Sequence, residues 1–264
     1  HPDGVGLKRV IGDLNKVQQT HPYIQSSYDQ QCIAVKESPL IYDYGGKPYF
    51  TEGVRSPIDF FKNNGDGTEV LGIDCSGFVF SIFATSGLKL KSTRQLKASD
   101  SVAWSSRAYV DPAPNGIDCL APITITPTNQ LQAGDVVAIP GHVFIVDQVG
   151  DDPFGVKRAK SLEDCAHLRA ENFNFTIIQS SNSLDGVGIN RFFAADYLKD
   201  HKKFGPGMEE YARNACEAYL LEKPLQPKVQ NITITRHKGT PACRADRIPL
   251  AGESCISQCP IFKN

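Results

Sequence analysis

The chain has 264 residues and a formal net charge of −1, with 41% hydrophobic and 22% charged residues. That is enough for one filled core with appendages or for two small domains, and the balanced charge speaks against a nucleic-acid or anionic-membrane surface. No apolar run approaches the roughly 18 residues that a membrane-spanning helix needs, and the opening on His1 rather than Met is compatible with a removed signal peptide.

At the amino end, Val5, Leu7, Val10, Ile11, Leu14 and Val17 recur near helical spacing, which predicts an amphipathic helix over residues 5–19. His21-Pro22 breaks it, so residues 1–40 read as a helical extension, with His1 and His21 as surface residues. Tyr42-Asp43-Tyr44-Gly45-Gly46 comes next. Pro57 and Asn63-Asn64-Gly65-Asp66-Gly67 then mark a loop. Asp66-Gly67 is not followed by the ladder of oxygen ligands that a calcium loop requires.

Gly72-Ile73-Asp74-Cys75-Ser76-Gly77-Phe78-Val79-Phe80 is the stretch with chemistry in it. Phe78, Val79, Ile82 and Phe83 give one buried face at helical spacing. Asp74 suits the N-cap of that helix, which puts Cys75 in the first turn. There the unpaired N–H groups and the positive end of the helix dipole favour thiolate over thiol. The competing reading is a small buried cysteine or half of a disulfide.

A cysteine nucleophile needs a base, and histidine is the usual one. Of six histidines, His142 stands out, in Gly134-Asp135-Val136-Val137-Ala138-Ile139-Pro140-Gly141-His142-Val143-Phe144-Ile145-Val146. Two β-branched runs separated by Pro-Gly predict a hairpin whose second strand opens on His142. Phe175-Thr176-Ile177-Ile178-Gln179 predicts the next strand, with polar Gln179 at its end as the candidate that orients the imidazole. Read singly, His142 is better explained as a hydrogen-bonded strand-end residue and Gln179 as a solvated strand end.

Two long stretches flank the hairpin. Residues 97–132 contain Trp104, several prolines and a repeat of Gly-Ile-Asp-Cys at 116–119, where Pro122 argues against a following helix and for a structural Cys119. Residues 150–174 carry Cys165 and His167, and a disulfide between Cys119 and Cys165 is expected because both loops flank the hairpin. Gly186 to Phe192 predicts a last strand, and Glu209 to Leu221 a helix with Tyr211, Ala215, Ala218 and Tyr219 on one face. Residues 222–264 read as a tail stapled by cysteines rather than built on a core, apart from the strand-like alternation of Val229 to Thr235.

The motifs together resemble the NlpC-type papain-like cysteine peptidases of bacterial cell walls. Asp74-Cys75-Ser76-Gly77-Phe78-Val79 is similar to that family's nucleophile motif, and Gly134-Asp135-Val136-Val137 with Gly141-His142-Val143 to its histidine motif. Tyr42-Asp43-Tyr44-Gly45-Gly46 and Leu90-Lys91-Ser92-Thr93-Arg94-Gln95 resemble its flanking segments, and the resemblance covers residues of about 40 to 200. It implies an α+β, papain-like fold with the nucleophile helix packed on an antiparallel meander. By the same resemblance Cys75 is the nucleophile, His142 the base and Gln179 the orienting residue, with Ser180, Ser181 and Asn182 as neighbours that a shifted alignment would promote. Tyr42, Asp74, Ser76 and Arg94 are the implied substrate-binding residues. Relatives use the acid and hydroxyl beside the nucleophile to contact a free L-alanine amine, which points to muropeptides already cut from the glycan.

The implied activity is hydrolysis of murein stem peptides at the D-γ-glutamyl–diamino acid bond, by a monomer in the periplasm or outside the cell, with no cofactor, no metal and no nucleic-acid partner. An N-acetylmuramoyl-L-alanine amidase, a lipid acyltransferase and a catalytically silent wall-binding or adhesion module are the alternatives. Eight cysteines (32, 75, 119, 165, 216, 243, 255 and 259) fit an oxidising compartment. If Cys75 stays a thiol, seven remain, so at least one more is unpaired or pairs between chains. His237, Cys243, Cys255 and Cys259 match no zinc spacing, and disulfides are the expected use.

Overall fold

The computed structural model describes residues 42, 45–47, 73–183 and 186–245, together with the backbone of 24–26, 33–35, 49–50 and 58–59. The helix expected over residues 5–19, the loop at 63–67, and Cys32, Cys255 and Cys259 lie outside the described residues. The chain divides into two compact units. One comprises His1–Ala103, Gln179–Asn190 and Pro241–Asn264, and the other Trp104–Ile178 and Arg191–Thr240.

In the first unit, β1 (Ile24–Ser26) pairs antiparallel with β2 (Ile33–Val35), where the sequence reading has only a helical extension. β3 (Tyr49–Phe50) pairs in the same sense with β4 (Ile58–Asp59). Helix α1 (Cys75–Thr85) follows, and α2 (Ala98–Ala103) packs against it. Nine of the eleven residues of α1 are buried, so the helix is enclosed nearly all round rather than on one stripe. Two of the hydroxyls inside it turn back onto its own carbonyls: Ser81 Oγ donates to Gly77 O at 2.8 Å and Thr85 Oγ1 to Ser81 O at 2.7 Å. That is how such side chains are tolerated in a buried helix. Beyond α1, Lys89 N donates to Cys243 O and Ala245 N to Gly87 O, both at 2.8 Å, so residues 243–245 hold the exit of the helix.

The second unit begins with α3 (Ser106–Val110), then β5 (Leu120–Pro122), β6 (Val136–Ile139) and β7 (His142–Val149). A short helix α4 (Leu162–Cys165) precedes β8 (Phe175–Ser183) and β9 (Gly186–Phe193); α5 (Ala194–Lys199), α6 (Phe204–Leu221) and β10 (Thr233–His237) complete it. The residues 179–190 of the β8–β9 hairpin are counted with the first unit. The sheet order is β5-β10-β6-β7-β8-β9, with β6 paired antiparallel to β7 and β7 to β8.

One core fills this unit. Val137, Ile139, Phe144, Val146, Phe175, Ile177, Ile232 and Ile234 share it with Phe204, Met208, Tyr211, Ala215 and Ala218 of α6. Those strand positions alternate, as the two-residue period of a strand requires. The helix α3 packs on β6, and all four residues of β6 are buried. A strand covered on both faces reads as an unbroken apolar run, which Val136 to Ile139 is.

Three expectations are corrected here. The strand-like part of the tail is β10, inserted between β5 and β6, with Ile232 and Ile234 in the core; it is core-built, not merely stapled. Cys165 bonds Cys216 of α6, not Cys119. Cys119 is buried and disulfide-bonded, as is Cys243. Helix α6 begins at Phe204, five residues before the predicted start, because Pro206 in a first turn forfeits no intrahelical hydrogen bond. His201 Nδ1 accepts the N–H of Phe204 at 3.1 Å and so serves that helix start.

Candidate active site

Cys75 is the first residue of α1, buried at 7% exposure and not disulfide-bonded. Asp74 is its N-cap: the backbone is extended there, and the side chain accepts the N–H of Gly77 at 2.6 Å. The N–H of Asp74 donates to Gly46 O at 2.9 Å, so the Gly45-Gly46-Lys47 segment lies directly on the start of the helix. Two glycines make that approach possible. Gly45 has φ +80°, and a Cβ on Gly77 would lie 2.9 Å from Gly46 O and 3.0 Å from Ile73 Cγ1.

Docking this segment delivers a residue that the motifs do not include. Lys47, only 6% exposed, donates from Nζ to Asp74 Oδ1 at 2.9 Å, to Asp74 Oδ2 at 2.7 Å, and to Ser76 Oγ. Ser76 Oγ in turn donates to Asp74 Oδ1 at 2.9 Å. The acid and the hydroxyl that flank Cys75 are thus bound to an ammonium of the chain itself. Nothing local to Asp74-Cys75-Ser76 signals a lysine 27 residues upstream. Only its place directly after Gly45-Gly46 points to it.

Gln179 belongs to the same unit as Cys75. The expectation of a strand end is corrected: β8 runs on to Ser183, and Gln179 is wholly buried within it. Of the neighbours kept as alternatives, Ser180 has a separate use, since its hydroxyl donates to Ile73 O at 2.6 Å. This bond ties the strand bearing Gln179 to the residue before the N-cap. Tyr42 is half-buried. Arg94 forks onto Asp100, with Nη1 2.7 Å from Oδ2, and that hydrogen bond raises the guanidinium pKa further. Asp100 also accepts the N–H of Lys97. Arg94 therefore holds the start of α2.

In the second unit, the β6–β7 hairpin has the predicted two-residue turn. Ile139 pairs with His142 across Pro140-Gly141, and Gly141 takes φ +101°. The N–H of Gly141 donates to Ser106 Oγ at 3.1 Å, so α3, from within the long stretch before the hairpin, fixes the turn. His142 opens β7 and is half-buried. Its ring meets the edge of Phe204 at 5.9 Å between centroids. A cavity of about 440 Å³ is lined by Ile139, Pro140, His142, Asp200, His201 and Lys203 among others. The hairpin is anchored behind by a fully buried Asp135, whose oxygens each accept from Arg236 of β10 at 2.7 Å. Burial pushes the Asp135 carboxyl above its usual range, and the Arg236 guanidinium pulls it back.

No curated protein and no solved structure matches the chain. A family model does match part of it. The NlpC/P60 family model matches residues 42–151, a span that holds Tyr42, Lys47, Cys75 and His142 and stops short of Gln179, and it is the family that the motifs resemble.

Proposed function

We propose that the chain is a cysteine endopeptidase that hydrolyses murein stem peptides at the bond between D-γ-glutamate and the diamino acid. The observation that carries the reading is Cys75: a thiol at the first residue of a buried, Asp-capped helix, within a span that matches a cell-wall hydrolase family. In this reading His142 takes the Cys75 proton, and the thiolate adds to the γ-glutamyl carbonyl. The backbone N–H of Cys75 and the Tyr42 hydroxyl hold the oxyanion. His142 then protonates the departing amine, and the C–N bond breaks to leave a thioester. Water, giving its proton to His142, hydrolyses the thioester and restores the thiol. Gln179 orients the imidazole. The disulfides accord with a periplasmic or secreted site of action, and no helix among the described residues is long and apolar enough to cross a membrane.

One observation favours a second reading. The argument against a muramoyl-L-alanine amidase rests on Asp74 and Ser76 binding a free alanine amine, and both already hold Lys47. Mass spectrometry of L-Ala-γ-D-Glu-diaminopimelate and of its muramyl form, each incubated with wild type and Cys75→Ala, separates the outcomes. Cleavage after γ-D-Glu that vanishes in the variant supports the endopeptidase. Release of the whole peptide from muramic acid makes it an amidase. No product, with Cys75 inert to iodoacetamide, leaves a binding module.

A further inference from the structure

The acid beside the nucleophile is saturated by the chain's own groups. Asp74 accepts from Lys47 Nζ on both oxygens, from Ser76 Oγ and from Gly77 N. The ammonium is equally complete, because its three N–H donors meet Asp74 Oδ1, Asp74 Oδ2 and Ser76 Oγ. The side chains are 8% and 13% exposed. A carboxylate and a hydroxyl arranged in this way around one cation form an ammonium-binding set, and here the occupant is covalently part of the protein.

We infer that Lys47 is a specificity-determining residue that fills the ammonium position beside Cys75, so that the substrate group bound there is a neutral, acylated nitrogen and not a free amino terminus. The inference rests on the peptidase reading for its substrate and deepens it. A substrate ammonium would have to displace Lys47, leaving one of two cations buried without its counter-charge, which is strongly unfavourable. An N-acyl group brings no charge and asks for no displacement. Rejection by a site whose charge is already paired is how a pocket discriminates without adding contacts to the preferred ligand. The preferred substrates are then stem peptides still acylated at alanine.

The test compares kcat/KM for L-Ala-γ-D-Glu-diaminopimelate with that for the same peptide N-acetylated at alanine. Wild type is expected to cleave the acetylated peptide at least as well as the free one. Lys47→Ala is expected to shift the ratio toward the free amine by about tenfold or more, the factor that one charge-assisted hydrogen bond carries. A wild-type preference for the free amine of about tenfold overturns the inference. If neither peptide is cleaved, it is the peptidase reading that fails, and the ammonium site is then read by thermal unfolding. Ethylammonium chloride, against matched sodium chloride, should raise the melting temperature of Lys47→Ala, or restore its folding, while leaving wild type unmoved. An equal response of the two proteins, or none in the variant, overturns the assignment.

Discussion

Ser180 Oγ donates a 2.6 Å hydrogen bond to the carbonyl of Ile73, joining buried residues that are 107 positions apart in the chain. The bond fixes the strand of Gln179 to the residue that precedes the N-cap of α1. Ser180→Ala removes the donor at a site with no exposure, and the cost of losing such a bond is about 1–3 kcal/mol. Chemical denaturation should register that loss. Iodoacetamide labelling of Cys75 should change in rate as well, since the start of α1 loses a support. A variant as stable as wild type would show that the bond carries no weight.

Gly77→Ala sets two effects against each other. Alanine gains up to about 1 kcal/mol in helix propensity. Its Cβ, however, meets Gly46 O at 2.9 Å, and that oxygen cannot retreat without losing the N–H of Asp74. Overpacking of this kind costs about 1–3 kcal/mol, so the variant should be less stable than wild type and should lose activity as the Lys47 segment is pushed off. A more stable Gly77→Ala would mean that the segment gives way easily.

Asp135 and Arg236 should behave as a unit. Asp135→Ala leaves Arg236 without its carboxylate beside a buried strand, and breaking such a pair costs about 3–5 kcal/mol. Replacing both, as Asp135→Leu with Arg236→Met, should recover much of that loss. Urea unfolding of the two single variants and the double gives the coupling energy directly, and additive losses would contradict it.

His201 gives the fold a pH dependence with a defined sign. Burial lowers its pKa from the model-compound value of 6.5, with the nearby Lys203 charge acting the same way. Its Nδ1 accepts from Phe204 N, which requires that nitrogen to be unprotonated. The unfolded chain therefore takes up a proton that the folded chain resists. This contribution is complete above about pH 6.5 and is lost as pH falls below it. Melting temperatures across that range should drop less steeply for His201→Asn, which keeps an acceptor at the helix start without titrating. Parallel curves would remove His201 as the cause.

Much of the site was legible in local sequence. Asp74 before an apolar helical run makes Cys75 a first-turn residue, and the structure has that N-cap with its Gly77 contact. Two β-branched runs around Pro140-Gly141 make a hairpin that opens on His142, and the register is Ile139 to His142. The resemblance of these motifs is matched by the family span. Gln179 was harder to read. Polar residues after an apolar run look like a solvated strand end, yet Gln179 and Ser180 are fully buried, with the Ser180 partner over a hundred residues away. The strand character of the tail was visible, but its insertion between β5 and β6 was not.

What the sequence determined by itself depends on neighbours within a few residues: the cap, the first-turn thiol, the tight turn, the alternation of strands. Tertiary structure decided the rest, because those outcomes rest on which distant groups can reach one another. Cys165 meets Cys216 because α4 packs against α6, whatever the order of loops along the chain. Lys47 reaches Asp74 and Ser76 because Gly45 and Gly77 permit backbone contact at the helix start. A buried charge must find its partner in space, and spacing along the chain does not reveal where that partner lies.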